Sequence, residues 1–310
     1  MLVLTRCPWS FPLKRFLKNL PFPAGHMSSA AGGFVKEFRH FSVRIVPVLK
    51  DNYSYLIACH ATKLAGVVDV SEVNPVVAAL TEHVHRTSSA AGTALSASHF
   101  AVLSTHKHWD HSGGNEAIAK AFPGLAIYGG AEEPIPGRTV ALADTQSFSI
   151  GELRVDVMLT PCHTSGHVLY HVYHPTAKDD GALFTGDTLF VGGIGAFFEG
   201  NASMMISALD RISRLPDTTY IFPGHEYTVN FLKFAADVTK RTDATVNATL
   251  AHYQALRAQN LPTVPSTLAT EKATNVFMRG VLHPDVMASL LSLSDKSRES
   301  VMQKLYDTCP

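Results

Sequence analysis

Short runs of apolar and β-branched residues, separated by turn residues, recur along the first two thirds of the chain. Runs of this length predict β-strands. The predicted strands are residues 41–49, 53–59, 66–69, 100–105, 125–128, 153–159, 168–173, 183–185 and 220–222. Apolar residues at helical spacing predict helices at residues 75–86 and 204–215. Strands and helices mixed in this way imply two sheets with helices packed on their outer faces.

Beyond residue 225 the apolar positions follow a helical period. Helical faces are formed by residues 232–238 and 246–256, and two more helices are predicted at residues 285–293 and 296–306. Residues 87–98, rich in Ser, Ala, Thr and Gly, predict a flexible surface insertion. We therefore predict an α+β protein with a leader of residues 1–36, a domain of mixed strands and helices over residues 37–225 and a helical domain of residues 226–310.

The charge of the chain is balanced overall but uneven along its length. The 310 residues include 26 Lys and Arg and 26 Asp and Glu. This balance argues against a nucleic-acid partner, which would require a surplus of basic residues. Residues 1–36 hold five Lys or Arg and no acid, so the remainder has an excess of five acids. The leader fits either an organelle transit peptide or an upstream extension.

Two further features bear on location. No apolar run approaches the roughly 18 residues that a membrane span requires. The four Cys residues lie far apart and form no C-x-x-C pair, which suits a reducing compartment. We therefore expect no membrane partner and a cytoplasmic location, or a mitochondrial one if the leader is a transit peptide.

The segment with the most distinctive chemistry is T-H-K-H-W-D-H-S-G-G-N at residues 105–115, which follows a predicted strand. Its H-x-H-x-D-H core concentrates four potential metal ligands in six residues. Three more candidates each follow a predicted strand, in T-P-C-H-T-S-G-H, F-T-G-D-T-L-F-V and G-H-E-Y-T. Taken singly, each of these three is more often a structural turn residue. The full set is His106, His108, Asp110, His111, His163, Asp187 and His225.

Strand ends at one edge of a sheet converge, so these side chains can meet. Five His and two Asp suit two borderline divalent cations, with one Asp between them and positions left open for water and substrate.

These segments resemble the metallo-β-lactamase superfamily and, within it, glyoxalase II, the hydroxyacylglutathione hydrolases. The narrower resemblance also rests on residues 49–53, 262–268 and 275–279, and it covers residues 41–280. It implies an αββα sandwich followed by a small all-helical domain that forms one wall of the substrate site.

The resemblance also implies roles for the candidate ligands. The first metal would be held by His106, His108 and His163, and the second by Asp110, His111 and His225, with Asp187 as the bridging ligand. Asp187, Asp110 and His111 would be the catalytic residues. The ions would be Zn, alone or mixed with Fe or Mn, since imidazole and carboxylate suit all three. His167 would make a structural or second-sphere hydrogen bond.

The implied reaction is hydrolysis of an S-D-lactoyl thioester to D-lactate and free thiol, the second step of methylglyoxal detoxification. Two cations that share a water lower its pKa towards neutrality, so no Ser or Cys nucleophile is needed. Cys162, beside a ligand, is therefore assigned a packing role. The alternatives are a persulfide dioxygenase or a lactonase of the same superfamily, or a non-catalytic metal-binding module. We expect a monomer.

The chain departs from the glutathione-using members where they contact the peptide part of glutathione. Those members carry a Lys and a Tyr just after F-T-G-D-T-L-F-V and two basic residues, three apart, near the C-terminus. Here these positions are Ala196, Phe198, Tyr306 and Cys309. The pattern resembles the trypanosomatid enzymes that use trypanothione, two glutathiones joined by cationic spermidine, because uncharged residues tolerate a cation. The alternative is that residues 306 and 309 belong to a loose chain end. Tyr227 matches a further substrate-binding position.

Overall fold

Two β-sheets dominate the computed structural model, which describes residues 28–30, 33–88 and 93–310. The predictions for residues 1–27 and 31–32 of the leader, and for residues 89–92 of the insertion, lie outside the described residues.

The first sheet has eight strands that follow one another in chain order from edge to edge. They are β1 (Ser28–Ala30), β2 (Gly33–Glu37), β3 (Phe41–Val48), β4 (Asn52–Cys59), β5 (Ala65–Val68), β6 (Phe100–Leu103), β7 (Ile127–Gly130) and β8 (Val140–Leu142). Neighbours are antiparallel from β1 to β5 and parallel from β5 to β8.

The second sheet has six strands, and a small two-stranded hairpin lies beside it. These strands are β9 (Ser147–Ile150), β10 (Leu153–Leu159), β11 (Val168–His174), β12 (Ala177–Gly186), the hairpin strands β13 (Leu189–Phe190) and β14 (Gly193–Ile194), then β15 (Tyr220–Pro223) and β16 (Ser266–Thr267). The spatial order of the second sheet is β16-β15-β12-β11-β10-β9. Within the second sheet, β12 and β15 pair in parallel, and the other described neighbours are antiparallel.

The helices include every one that the helical spacing predicts. They are α1 (Val73–Thr87), α2 (Trp109–Ser112), α3 (Asn115–Ala121), α4 (Ala202–Ser213), α5 (Thr228–Val238), α6 (Ala244–Ala258), α7 (Leu268–Thr274), α8 (Val276–Leu282), α9 (Pro284–Leu290) and α10 (Arg298–Thr308). A 3-10 turn, Ala97–His99, precedes β6. Among the described residues, no helix is long and apolar enough to cross a bilayer.

The core lies between the sheets and on their outer faces. Alternate residues of β3, including Val43 and Ile45, face a large cluster that also contains Val155 and Val157 of β10. On the opposite side of the first sheet, Leu80 of α1 joins a second buried cluster with the outward-facing residues of β4 to β7. The predicted two-sheet α+β fold with outer helices is therefore confirmed.

The helical segment is tied to the sandwich at two places. α10 and α8 of the helical segment both pack against α4 of the sandwich. In addition, β16 adds a two-residue strand to the second sheet through Ile221 and Ser266. One short element of the helical segment thus completes a sheet of the sandwich.

The predicted leader extends too far into the body of the protein. β2 pairs with β3, with Lys36 opposite Val43. The Lys36 side chain is buried, and its ammonium group lies 4.0 Å from the ring centroid of Tyr220. Residues 33–36 therefore form a sheet strand; composition did not reveal this because the strand is defined by its pairing with β3.

Candidate metal centre

All seven candidate ligands lie just beyond the ends of strands. Two follow β6 (His106 and His108), and two lie on the one-turn helix α2 (Asp110 and His111). The other three follow β10, β12 and β15 and are His163, Asp187 and His225, respectively. The structure brings all seven together at one edge of the paired sheets.

Three of the histidines, which we call the first trio, are His106, His108 and His163. His108 Nδ1 lies 3.0 Å from His106 Nε2 and 3.1 Å from His163 Nε2. A tetrahedral ion with bonds of about 2.1 Å would hold its donors roughly 3.4 Å apart. The first trio is therefore compatible with one ion.

The second trio is Asp110, His111 and His225. The two Nε2 atoms of the histidines are 3.2 Å apart, and Asp110 Oδ2 lies 3.5 Å from His111 Nε2 and 3.4 Å from His225 Nε2. These separations meet the same criterion. The second trio can therefore hold a second ion.

Asp187 lies between the trios. Its Oδ2 is 3.5 Å from His163 Nε2 in the first trio and 3.3 Å from His225 Nε2 in the second. Its Oδ1 is buried and, among the residues that the structure describes, has no hydrogen-bond partner. A buried carboxylate oxygen without a donor is costly unless a cation satisfies it. The donor set therefore fits a pair of divalent metals.

The remaining nitrogen of each of three ligand rings donates to an oxygen. His111 Nδ1 donates to Asp69 Oδ2 over 2.9 Å, and His225 Nδ1 donates to Asp51 Oδ1 over 3.0 Å. His163 Nδ1 donates to a backbone carbonyl over 3.0 Å. Such bonds fix the tautomer and the orientation of a ligand ring, so that Nε2 is free to bind metal.

Two glycines permit the close approach of these loops. A Cβ on Gly224 would lie 2.5 Å from Asp187 Oδ1 and 2.6 Å from His111 Cε1. Gly186 has a φ of +45°, and its Cβ would lie 2.7 Å from His167 Nε2. A larger residue at either position would displace a ligand loop.

The predicted structural role of His167 agrees with its contacts. The backbone N–H of Asp187 donates to His167 Nε2 over 3.1 Å, and the ring stacks on His106 at 4.8 Å. Burial lowers the pKa of His167 well below its usual value, so the ring is neutral and can accept. His167 therefore contacts two of the candidate ligands, His106 and Asp187, and holds them in place.

The electrostatics of the cluster favour positive charge. Burial lowers the pKa of His111, but the negative charge of the neighbouring carboxylates of Asp187, Asp110 and Asp69 raises it well above its ordinary value. Burial also lowers the pKa of His225, but the carboxylates of Asp110 and Asp187 outweigh burial and raise that pKa to about 10. The carboxylates thus attract positive charge to the point where the donor atoms meet, as a cation site requires.

Two contributors to the site were not assigned by sequence reasoning. Asp69 is buried, and besides His111 it accepts hydrogen bonds from Thr105 N and Oγ1, both over 2.8 Å. Asp51 holds His225. Asp69 ends a predicted strand, the same signal that identified the ligands, whereas Asp51 was noted only as part of a matching segment.

A cavity of about 550 Å³ contains most of the predicted substrate-binding residues. Its lining is formed by Phe190, Ile194, Ala196, Tyr227, Asn230, Phe231, Phe277, Tyr306, Cys309 and Pro310. None of these described lining residues is Lys or Arg. Phe198 is not in this lining; its exposed ring lies 5.0 Å from the ring of His163.

Tyr306 and Cys309 are held in the fold. Tyr306 belongs to α10, its ring stacks on Phe197 at 3.9 Å, and its hydroxyl accepts a hydrogen bond from Phe197 N over 3.0 Å. Cys309 caps the same helix through its backbone N–H. The alternative of a loose chain end is therefore wrong for these two residues.

The chain is similar to known proteins over both parts of its length. Residues 101–225 match the metallo-beta-lactamase superfamily, and residues 226–308 match the hydroxyacylglutathione hydrolase C-terminus. It is 40% identical to the cytoplasmic hydroxyacylglutathione hydrolase of Arabidopsis thaliana, over 79% of this chain and 90% of that protein. It is 38% identical to the hydroxyacylglutathione hydrolase of Gloeobacter violaceus, over 80% of this chain and 96% of that protein.

Among solved structures, the chain is similar to ETHE1 from Myxococcus xanthus, with a TM-score of 0.57 at 22% identity, over 86% of this chain and 95% of that one. This likeness supports the fold alone. The predicted metallo-β-lactamase fold with a helical C-terminal domain is confirmed. The chain therefore belongs to the hydroxyacylglutathione hydrolases, the glyoxalase II thioester hydrolases of the metallo-β-lactamase superfamily.

Proposed function

We propose that this enzyme hydrolyses S-D-lactoyl-trypanothione, in preference to S-D-lactoylglutathione, to D-lactate and free thiol. The observation that carries the proposal is an aromatic cavity, without Lys or Arg in its described lining, beside a cluster of metal-binding donors. The names of the relatives support a hydroxyacyl thioester of a glutathione-type thiol as the substrate class. The reaction would be the second step in the detoxification of methylglyoxal.

Two residues connect the donor cluster to the cavity. Ala196 lines the cavity, and its carbonyl accepts the hydrogen bond from His163 Nδ1. Tyr227 also lines the cavity, and its ring stacks on His225 at 4.7 Å with an interplanar angle of 8°. A thioester carbonyl at the donor cluster would therefore have its thiol portion in the cavity.

The two trios and Asp187 would hold two divalent cations, Zn alone or Zn with Fe or Mn. When bound, such a pair lowers the pKa of water towards 7 and stabilises negative charge on the carbonyl oxygen. The chain fixes the donors before substrate arrives. Asn52 Nδ2, for example, donates to Asp110 Oδ2 over 2.9 Å and sets the orientation of that carboxylate.

Tyr227, which lines the cavity, would donate a hydrogen bond to the thiol portion of the substrate. Burial, with smaller contributions from Asp51, Asp187 and Asp110, raises the pKa of Tyr227 to about 12. The phenol therefore keeps its proton at neutral pH, and its O–H can serve as a donor to the substrate.

The chemistry requires no protein nucleophile and no strong general acid. The leaving thiol has a pKa of about 8.5, so it departs as a thiolate. Cys162 is fully buried, and burial raises its pKa to about 11. Its thiol donates to the carbonyl of Asn201 over 3.6 Å. These properties agree with a packing role for Cys162.

The cavity favours a thiol with a cationic linker over glutathione alone. A Lys at about 6 Å from a substrate ammonium would cost roughly 3 kcal/mol at an effective dielectric constant of about 20. Ala196, Tyr306 and Cys309 impose no such cost, and aromatic faces in the lining attract cations. The same absence of basic groups leaves the carboxylates of glutathione without partners.

The decisive experiment compares kcat/KM for the lactoyl conjugates of trypanothione and glutathione. We expect the trypanothione conjugate to be preferred by at least tenfold. Equal values, or a preference for glutathione, would refute the proposed specificity. Chelation of metal and Asp187→Ala are each expected to abolish thiol release, and normal turnover in that variant would contradict the two-metal mechanism.

A charge-insertion pair tests whether the cavity determines the preference. Ala196→Lys combined with Cys309→Lys should lower kcat/KM for the trypanothione conjugate by tenfold or more and raise it for the glutathione conjugate. Gln303→Lys combined with Ser207→Lys is the matched control, because it adds the same two charges at exposed residues outside the lining. If the control shifts the preference as strongly, net charge and not the cavity is responsible.

Metal analysis distinguishes the proposed thioester hydrolase from a persulfide dioxygenase. One iron per chain together with sulfite formation would favour a persulfide dioxygenase.

We also propose a cytoplasmic location, which the name of the Arabidopsis relative supports, and a monomeric state. Fractionation of cells and light scattering, respectively, would test them.

A further inference from the structure

Glu133 is a buried carboxylate that connects two of the ligand loops. It lies in the loop between β7 and β8 and is 3% exposed. Its Oε1 accepts a hydrogen bond from Lys107 N over 2.8 Å, and Lys107 is the residue between two ligands of the first trio. Its Oε2 accepts from Gly166 N over 3.2 Å, in the loop that carries the third ligand, His163. One side chain thus joins both loops of the first trio.

The position of Glu133 is itself fixed. Arg138 Nη1 donates to the Glu133 carbonyl over 2.7 Å, and Ile135 N donates to the same oxygen over 3.1 Å. A Cβ on Gly166 would lie 2.6 Å from Glu133 Cγ. The backbone of Glu133 is therefore held by its own loop, and its side chain packs closely against the backbone of Gly166.

A second carboxylate joins the same loops at the surface. Glu199 Oε1 pairs with Lys107 Nζ at 2.5 Å, and its Oε2 accepts from Ser165 N over 2.8 Å. The Glu199 side chain is 34% exposed, so water and salt screen the ion pair. Because the bonds of Glu133 are shielded from water, we expect Glu133 to contribute more than Glu199 to the spacing of the two loops.

We propose that Glu133 is a positioning residue that holds the first trio in its metal-binding geometry. The proposal rests on the two-metal function proposed above. It predicts a selective effect: loss of the Glu133 carboxylate weakens metal binding at the first trio, whereas the second trio keeps its affinity. Glu133 makes no hydrogen bond to the second trio among the described contacts.

The test uses Glu133→Gln with Glu132→Gln as the matched control. Glu132 is the exposed neighbour, and the substitution makes the same chemical change there. An amide offers one acceptor oxygen where the carboxylate offers two, so one of the two backbone N–H groups loses its partner. The probe is zinc at buffered free concentrations, with a parallel titration of cobalt(II), whose absorption spectrum reports the coordination of each site.

For Glu133→Gln we expect one equivalent of zinc to bind at least tenfold more weakly than in the wild type, and the other to be unchanged. Glu132→Gln should match the wild type. In kinetics, kcat at limiting metal should fall for Glu133→Gln and be restored by added zinc, with KM unchanged. A purely structural role would instead lower the unfolding temperature of the metal-free protein and leave the ratio of the two affinities unaltered, which would overturn the proposal.

Unchanged binding of both equivalents by folded Glu133→Gln would overturn this proposal and leave the proposed function intact. A wild-type protein that binds no metal at the first trio would overturn both. If Glu133→Gln does not fold, Glu133→Asp takes its place, because it keeps the charge and withdraws the oxygens by one methylene. For Glu133→Asp, the same changes in zinc affinity would support the proposal, and unchanged affinities would overturn it.

Discussion

Replacement of the buried Glu271 by Gln provides a quantitative test of the contact between the helical segment and the sandwich. Glu271 is fully buried, and it accepts hydrogen bonds from Ser266 Oγ over 2.5 Å, Gly192 N over 2.8 Å and Asn275 Nδ2 over 3.1 Å. Burial raises its pKa to about 7 from the ordinary 4.5, although these three donors act in the opposite direction.

The sign of the resulting pH dependence follows from linkage. Below pH 4.5 the carboxyl is protonated in both states and contributes no pH dependence. Between pH 4.5 and 7 the unfolded chain releases this proton while the folded protein keeps it, so the free energy of unfolding falls as pH rises. Above pH 7 the loss is complete. At about 1.4 kcal/mol per pH unit, Glu271 removes about 3 kcal/mol of stability across this interval.

Urea unfolding of the wild type and Glu271→Gln at a series of pH values, with the same zinc concentration, would measure this effect. Because Gln does not titrate, the stability of the variant relative to the wild type should rise by about 3 kcal/mol from pH 4.5 to 7.5. Any constant cost of the amide cancels in this comparison. A stability difference that stays constant with pH would refute the assigned pKa and the burial argument behind it.

Three further substitutions test the metal centre, the core and the cavity. Asp51→Asn should weaken metal binding at the second trio tenfold or more, because His225 Nδ1 loses its carboxylate partner; zinc titration checks this. Leu209→Ala removes a fully buried side chain and should lower the free energy of unfolding by about 2–5 kcal/mol in urea. Tyr306→Ala should raise KM several-fold with kcat nearly unchanged, since Tyr306 lines the cavity and its ring stacks on Phe197. A fall in kcat in steady-state kinetics with the thioester would contradict this.

Much of the fold and the identity of the candidate ligands could be predicted from the sequence, because both depend on local pattern. Alternating apolar residues define β3, and helical spacing defines α1 and α4. Each candidate ligand follows a strand, and the end of a strand is visible in the sequence. Short strands such as β13, β14 and β16 were missed, since two residues carry no periodicity.

Other features required the tertiary structure. Glu133 contacts a residue 26 positions before it and another 33 positions after it, and no local pattern links these three segments. Asp51 and His225 are 174 positions apart.

The amino-acid sequence by itself identified the candidate ligands and determined that they follow the ends of strands. The order of the strands in each sheet, and the way the two sheets and the helical segment pack, decided which of those ends meet and which carboxylates orient them. The same packing brings Ala196, Tyr227 and Tyr306, from three separate segments, into the lining of one cavity. The physical reason is that side-chain chemistry and strand propensity are local properties, whereas distances between strand ends are set by long-range pairing and burial.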